Sequence, residues 1–378
     1  MRPAVDRAPG PTLLLVQTAM PYYRQAFVAE LQRRLGGRAT IVMGEDHFDG
    51  TSRAGVVGSS VRIGPRNRFL AGRRLLWQRD VVRASLGPDV VVHELNPRVL
   101  STWCTLLARR ALGRPTVLWG HAWGRGGPAG RTEPLRHAMR MLADALIVYT
   151  AAQRRELGPR LPGKLVVAAP NALYHEDDMR PTGGAAAGLL WVGRLIAEKK
   201  PDLAVRGFHA ALDRLPVDCR LWMVGAGPAE RRVRDLVEEL GLGERVSLVG
   251  EVSDLGRLRT LFDGAVASIS TGYVGLNMIQ SHSFGVPMVY ADAEPHAPEI
   301  DVANGRNSRP FRSDDVHDLA DVIVETVGAA DLWRARRGEI AAGCRRHHSV
   351  EAMVDGFLDA VTAVAAGRRP SRARTGAG

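Results

Sequence analysis

At 378 residues and 45% apolar content the chain is too long for one core and apolar enough to fold, so two globular domains are expected and a disordered chain is excluded. No apolar run nears the roughly 20 residues that span a bilayer, and the run at 13–16 is too short for a signal-peptide core, so a cytoplasmic protein is expected. The three cysteines, Cys104, Cys219 and Cys344, lack metal spacing, and the net charge of +11 is uneven: residues 1–180 carry 27 Arg and Lys against 14 Asp and Glu, residues 181–378 carry 24 against 26.

In chain order, residues 1–11, rich in Pro, Ala and Arg, read as disordered. Residues 12–18 read as a buried strand, and Pro21-Tyr22-Tyr23-Arg24 opens a helix reaching residue 35 with Phe27, Val28 and Leu31 on one face. Further strands are expected at 39–43, 56–63, 89–93, 116–120, 145–149 and 165–168, with helices at 66–86, 98–112, 135–142 and 151–157. The stretch 66–86 interleaves six arginines with apolar residues. As a helix it would lie on anionic lipid, at the inner face of a membrane, or present an ordinary solvated basic face. Residues 179–188 have the Pro, Gly and Ala content of a linker.

The alternation then restarts. Strands are expected at 189–192, 220–224, 246–249, 265–269 and 288–291, with helices between them and at 314–327, 331–341 and 350–365. The tail from 367 reads as disordered. This gives an α/β chain of two Rossmann-like, doubly wound domains with a cleft between them, at 1–180 and 181–365, followed by the tail 366–378.

The stretch 264–300 carries the clearest chemistry. A buried strand, a turn with Gly272 and Gly275, a helix from Leu276 and a second strand form a βαβ unit. Its loop aims backbone N–H groups and a helix N-terminus at one spot, which suits a diphosphate. GRLIAEKK at 193–200 follows the first strand of the second half and puts Arg194 and Lys199 at that strand's carboxyl end. Two cations there can bind a diphosphate and stabilise its charge as it leaves. The plainer reading is a solvated basic loop. Lysine usage weighs against it: only Lys164, Lys199 and Lys200 occur beside 48 arginines, so a compact ammonium is retained where it is wanted. Gly225-Ala226-Gly227-Pro228 is alone a common tight turn, and without a third glycine it argues against a dehydrogenase.

Taken in order, GRLxxEK, GxGP, GxxGL followed by GVP, and Pro298-Glu299 resemble the donor-binding half of retaining GT-B glycosyltransferases, the glycogen-synthase-like class called family 4 or glycosyl transferases group 1. The resemblance covers roughly 189–311 well, and the rest weakly through Pro170-Asn171, His121 and the last helix, which in this fold crosses back to the first domain. It implies catalysis by His121, Arg194 and Lys199. It implies donor contacts from Gly193, Gly225, Gly227, Gly275, Leu276, Asn277, Gln280 and Glu299, and retention of configuration without a metal or cofactor. Tyr22, Tyr23 and Arg24 are the acceptor-side candidates, with His93, Glu94 and Asn96 ranked behind them; His282 and His296 are expected to be structural. The expected partners are a nucleotide-diphosphate sugar and a glycan, lipid-linked or small-molecule acceptor. Nucleic acid is ranked last, since the basic half lacks interleaved aromatics and a recognition motif.

One departure stands out. The family's two loop glutamates, eight positions apart, fall here on Gly272 and Gln280. A bacterial subgroup shows the same variation, which favours an active enzyme. The rivals are a sugar-nucleotide epimerase of the same fold and a non-catalytic sugar-nucleotide-binding protein.

Overall fold

The computed structural model describes residues 10–48, 54–58, 60–64, 66–124, 126–184 and 187–367. The expectations for residues 1–9 and for the tail beyond 367 lie outside the described residues. The chain divides into two units, one running to Leu173 and completed by the segment from Val350, the other Tyr174–Ser349.

The first unit begins with β1 (Leu13–Gln17), a short 3-10 turn at Tyr22–Arg24, α1 (Gln25–Arg34), β2 (Ala39–Met43) and β3 (Val61–Ile63). There follow β4 (Asn67–Leu70), β5 (Leu75–Gln78), α2 (Val81–Ala84), β6 (Val90–Glu94), α3 (Leu100–Ala111), β7 (Thr116–Trp119), α4 (Glu133–Leu142), β8 (Ala145–Val148), α5 (Ala151–Leu157) and β9 (Leu165–Ala168). Among the described residues seven strands form one sheet in the order β3-β2-β1-β6-β7-β8-β9, every pair parallel. Continuous runs of Val, Leu and Ile make these strands, because both faces are covered. The order reverses between β1 and β6, which marks the switch point where parallel sheets hold ligands.

The second unit repeats the plan with β10 (Gly188–Val192), α6 (Pro201–Ala211), β11 (Leu221–Val224), α7 (Glu230–Glu239), β12 (Val246–Gly250) and α8 (Leu255–Asp263). It continues with β13 (Ala265–Ser270), α9 (Leu276–Ser283), β14 (Met288–Ala291), β15 (Ser308–Phe311), α10 (Val316–Gly328) and α11 (Ala330–His348). Its parallel sheet runs β12-β11-β10-β13-β14-β15, with the reversal between β10 and β13. The last helix, α12 (Val350–Ala365), belongs to the first unit, where Phe357 packs edge-on against Phe27 and Trp119 with ring centroids 5.3 and 5.5 Å away.

Three expectations are corrected. The stretch 66–86 is not one helix: only the single turn α2 is helical, and before it β4 and β5 form an antiparallel hairpin closed by Ala71, Gly72 and Arg73, all in the left-handed region. Its polar side chains serve neighbours distant in sequence. Asn67 Nδ2 donates to Thr18 O at 2.8 Å and Asp46 O at 2.7 Å, and Arg73 Nη2 pairs with Asp46 at 2.8 Å. The basic helix proposed to meet lipid therefore does not exist. The strand expected over 56–63 is only Val61–Ile63. The compositional linker is packed within the second unit: Asp178 O accepts from Arg259 at 3.0 Å, and Thr182 N–H donates to Phe284 O at 2.9 Å. Among the described residues no helix is long and apolar enough to cross a membrane.

Candidate active site

In the second unit, the loops leaving β10 and β13 at the switch point are tied together through the side chains of Trp191 and Thr271. Trp191 Nε1 donates to Thr271 Oγ1 at 3.3 Å, and Thr271 Oγ1 in turn donates to Lys200 O at 2.7 Å. Gly272 presses against the turn opposite: a Cβ there would collide with Glu198 O and lie 2.7 Å from Lys199 Cα. The position expected to carry a glutamate has no room for any side chain. The loop after β11 is locked to the same turn. Leu195 N–H donates to Ala226 O at 3.0 Å and Ala229 N–H to Leu195 O at 2.9 Å. Gly225 (φ +138°) and Gly227 (φ +158°) pass so near Gly193 O and Leu195 O that a Cβ on either would collide with them. Gly225, Gly227 and Gly272 are thus required by close backbone approach.

The adjacent lysines part company. Lys200 adopts a left-handed conformation (φ +48°) between the 3-10 turn Ala197–Lys199 and Pro201, the first residue of α6. Its ammonium pairs with Glu294 at 2.5 Å and Asp314 at 2.7 Å. Lys199 is buried instead, donating to Tyr273 O at 2.7 Å with its Nζ 3.5 Å from the Tyr273 ring centroid. Burial, reinforced by Arg194 and opposed by Glu299, lowers its pKa to about 8, so it remains largely cationic at pH 7. Arg194 is exposed one loop residue beyond Gly193, and Glu299 is buried within electrostatic reach of Lys199.

At the start of α9, Gly275 N–H donates to Asn277 Oδ1 at 2.9 Å, while Asn277 Nδ2 donates to Ser270 Oγ at 3.1 Å. Asn277 therefore ties Gly275 and Ser270 to the start of the helix, and the N–H groups of Leu276 and Asn277 belong to the first turn, which has no preceding helical carbonyl. Gln280, one turn on, donates to Tyr174 Oη at 2.8 Å. His282 is buried with Nε2 at 3.1 Å from Asn307 O, and His296 Nδ1 accepts from Val274 N–H at 2.9 Å. The chemistry available at this point is anion binding by two cations and a helix start on a rigid backbone frame.

In the first unit, His121 follows β7 with its ring centroid 4.7 Å from that of Tyr149. The surrounding protein, with Arg136 and Arg24, pushes its pKa down to about 4, although its outer edge is open to solvent, so the ring is neutral at pH 7. Tyr22 and Tyr23 are exposed at the end of β1. Arg24 beside them is buried: Nη2 donates to Asn171 Oδ1 at 2.5 Å, and the guanidinium lies 4.9 Å from the Trp119 ring centroid. It ties the start of α1 to Asn171 and to the rings of Trp119 and Tyr149. His93 is likewise not on a rim: it is fully buried between Thr102 and Ser85, and burial lowers its pKa to about 3. Glu94 is half-buried, accepting from Thr18 N–H at 3.2 Å and Asn96 Nδ2 at 2.9 Å. Sequence reasoning missed Tyr273, the Lys200–Glu294 pair and the role of His296; only the doubled lysine hinted at them.

Residues 186–328 match the family described as Glycosyl transferases group 1. A 258-residue stretch, 66% of the chain, is 26% identical to an exopolysaccharide phosphotransferase of Streptomyces coelicolor and covers 26% of it. The chain thus spans about a quarter of the length of that curated relative. Among solved structures, HepE of Anabaena in complex with UDP superposes with a TM-score of 0.69 at 15% identity, covering 93% of this chain and 99% of that one. Sucrose-phosphate synthase of Thermosynechococcus elongatus gives 0.66 at 16% identity over 94% and 99% of the two chains. The lipopolysaccharide outer core galactosyltransferase WaaB gives 0.64 at 14% identity over 93% and 99%. These likenesses establish an α/β GT-B fold of two parallel-sheet, Rossmann-like domains.

Proposed function

We propose that the chain is a glycosyltransferase that moves a sugar from a nucleotide-diphosphate donor to a hydroxyl of a glycan, lipid-linked or small-molecule acceptor, with retention and without a metal. The observation that carries this reading is the interlocked frame at the carboxyl ends of β10, β11 and β13, which holds Lys199 on the turn that leads into α9, with Arg194 in electrostatic reach of it. The match of residues 186–328 supports it independently.

In this reading Arg194 and Lys199 bind the donor diphosphate, and the N–H groups of Leu276 and Asn277 bind its distal phosphate, joined by that of Gly275 when phosphate replaces Asn277 Oδ1 as its acceptor. A diphosphate oxygen replaces Tyr273 O as the partner of Lys199. The bond from the anomeric carbon to the leaving phosphate oxygen breaks as the acceptor oxygen bonds to the same face of that carbon. The acceptor proton passes to the departing phosphate, whose charge the two cations stabilise. Gln280 and Glu299 serve the donor side. His121, neutral, offers a hydrogen bond to the donor sugar, and Tyr22 and Tyr23 contact the acceptor. Gly272 contributes no side chain, so donor selectivity falls to the remaining groups.

A second reading has one observation in its favour, the curated relative named as a phosphotransferase. Transfer of a sugar phosphate would break the diphosphate itself and release a nucleoside monophosphate. Incubation with UDP-, GDP- and TDP-hexoses and candidate acceptors separates the two. Acceptor-dependent nucleoside diphosphate supports glycosyl transfer, monophosphate supports phosphotransfer, and tight donor binding with no turnover on any acceptor supports a binding protein.

A further inference from the structure

The loop after β14 does not simply leave the sheet; it returns across both halves of the candidate phosphate site. Glu294 ties it to Lys200 of the β10 loop through the 2.5 Å ion pair. Two residues on, it clasps Val274 from both sides: Val274 N–H donates to His296 Nδ1 at 2.9 Å, and Ala297 N–H donates to Val274 O at 2.9 Å. Val274 directly precedes Gly275, where α9 begins, and Tyr273 on its other side supplies the carbonyl that holds Lys199. His296 is thus the side chain, beside the Ala297 backbone, that ties this loop to the turn carrying both the α9 start and the Lys199 anchor.

We infer that His296 is a positioning residue that braces the 271–275 turn through its Nδ1, so that the N–H groups starting α9 and the Lys199 ammonium converge on one phosphate. The inference rests on the diphosphate-donor reading for its consequence, but the brace itself is a property of the fold. Only an unprotonated Nδ1 can accept from Val274 N–H, so the neutral ring carries its proton on Nε2. Protonation replaces the acceptor with a donor facing a donor, and the turn is released. The charged and titratable groups around the ring are Lys199 from the β10 loop, Tyr290 from β14, with its ring centroid 6.0 Å away, and Asp292 and Glu294 from its own segment. Burial, helped slightly by Lys199, lowers the pKa against the backbone of Ala291, the Glu294 carboxylate and the backbone of Asp292, which raise it, leaving the net direction downward. The brace is therefore closed at neutral pH and opens in acid.

Two substitutions separate this role from simple packing. Asn places Oδ1 where Nδ1 stood and cannot titrate; Ala removes the acceptor. Hydrogen exchange of the peptide that contains the Val274 amide should show protection lost by roughly tenfold or more in His296→Ala and held within about twofold in His296→Asn, with melting temperatures alike. Affinity for UDP should fall about tenfold in His296→Ala at neutral pH and remain close to wild type in His296→Asn. As the pH is lowered from about 7.5 to 5, wild-type affinity should fall away from that of His296→Asn, a comparison in which the titration of UDP itself cancels. Unchanged Val274 protection in His296→Ala overturns the brace. Unchanged UDP affinity in that variant, or His296→Asn following the wild-type pH profile, overturns its role at the site. If wild-type protein binds neither UDP nor GDP, the donor reading fails, and hydrogen exchange still decides the brace.

Discussion

At the scale of single residues, the candidate site is a matter of which groups backbone geometry leaves available. Lys199 is the sharpest case. Its pKa is depressed to about 8 by burial first and Arg194 second, so it is cationic below that value and loses charge above it. UDP affinity should consequently fall as pH rises through 8 in the wild type and stay flat over that range in Lys199→Arg, read by calorimetry. Lys199→Ala and Arg194→Ala should each lower turnover by about 2–4 kcal/mol, as for loss of one preorganised charge stabiliser. Gly272 gives a second prediction. Placing a carboxylate there with Gly272→Glu should lower thermal stability and not raise activity, because the Cβ itself has no space beside Glu198 O and Lys199 Cα. A cost of about 1–3 kcal/mol in chemical denaturation is expected. A stable, more active Gly272→Glu enzyme would show that the turn opens during the reaction.

At the scale of elements, the parallel strands and their helices were legible because buried strands are continuous apolar runs and their helices repeat every three to four residues. The hairpin of β4 and β5 was not. Its leucines and arginines have helical spacing, and what decides against a helix are partners 20 or more residues away: Thr18 and Asp46 for Asn67, and Asp46 for Arg73. The left-handed turn offers a test, since Gly72 at φ +62° sits between two non-glycine residues already in that region. Gly72→Val should destabilise the protein by about 1 kcal/mol or more, whereas Ala71→Gly should be neutral or stabilising. Strand β15 was also overlooked, because Pro310 within it argues against a strand; the order of the sheet puts it at an edge, where proline is tolerated. Helix α12 reaches β9 through Gly356, whose Cβ would collide with Ala168 O, and through the Phe27, Trp119 and Phe357 cluster. Phe357→Ala should destabilise the first unit by about 3–5 kcal/mol in a denaturant titration.

At the scale of the whole molecule, two sheets of the same winding carry different chemistry at the ends of their strands. The second holds cations on a glycine frame; the first holds an aromatic and histidine cluster around a buried arginine. The glycine frame was visible in sequence as motifs, because close backbone approach admits only glycine at Gly225, Gly227 and Gly272. The cluster of Trp119, Tyr149 and Arg24 was not, because its members are separated by 30 residues or more and meet only when the strands align. The excess of arginine in residues 1–180 predicts that a phosphorylated or lipid-diphosphate acceptor will have a KM that rises with salt, while a neutral acceptor's will not.

The central claim is that Lys199 and Arg194 hold a donor diphosphate whose sugar is transferred to an acceptor. The most direct test identifies the nucleotide released from a nucleotide-hexose panel, with and without acceptor, by wild-type protein and by Lys199→Ala. The account predicts nucleoside diphosphate, formed only when acceptor is present and slowed about 30- to 1000-fold in the variant. Release of nucleoside monophosphate, or acceptor-dependent release of diphosphate at the same rate in Lys199→Ala, would contradict it.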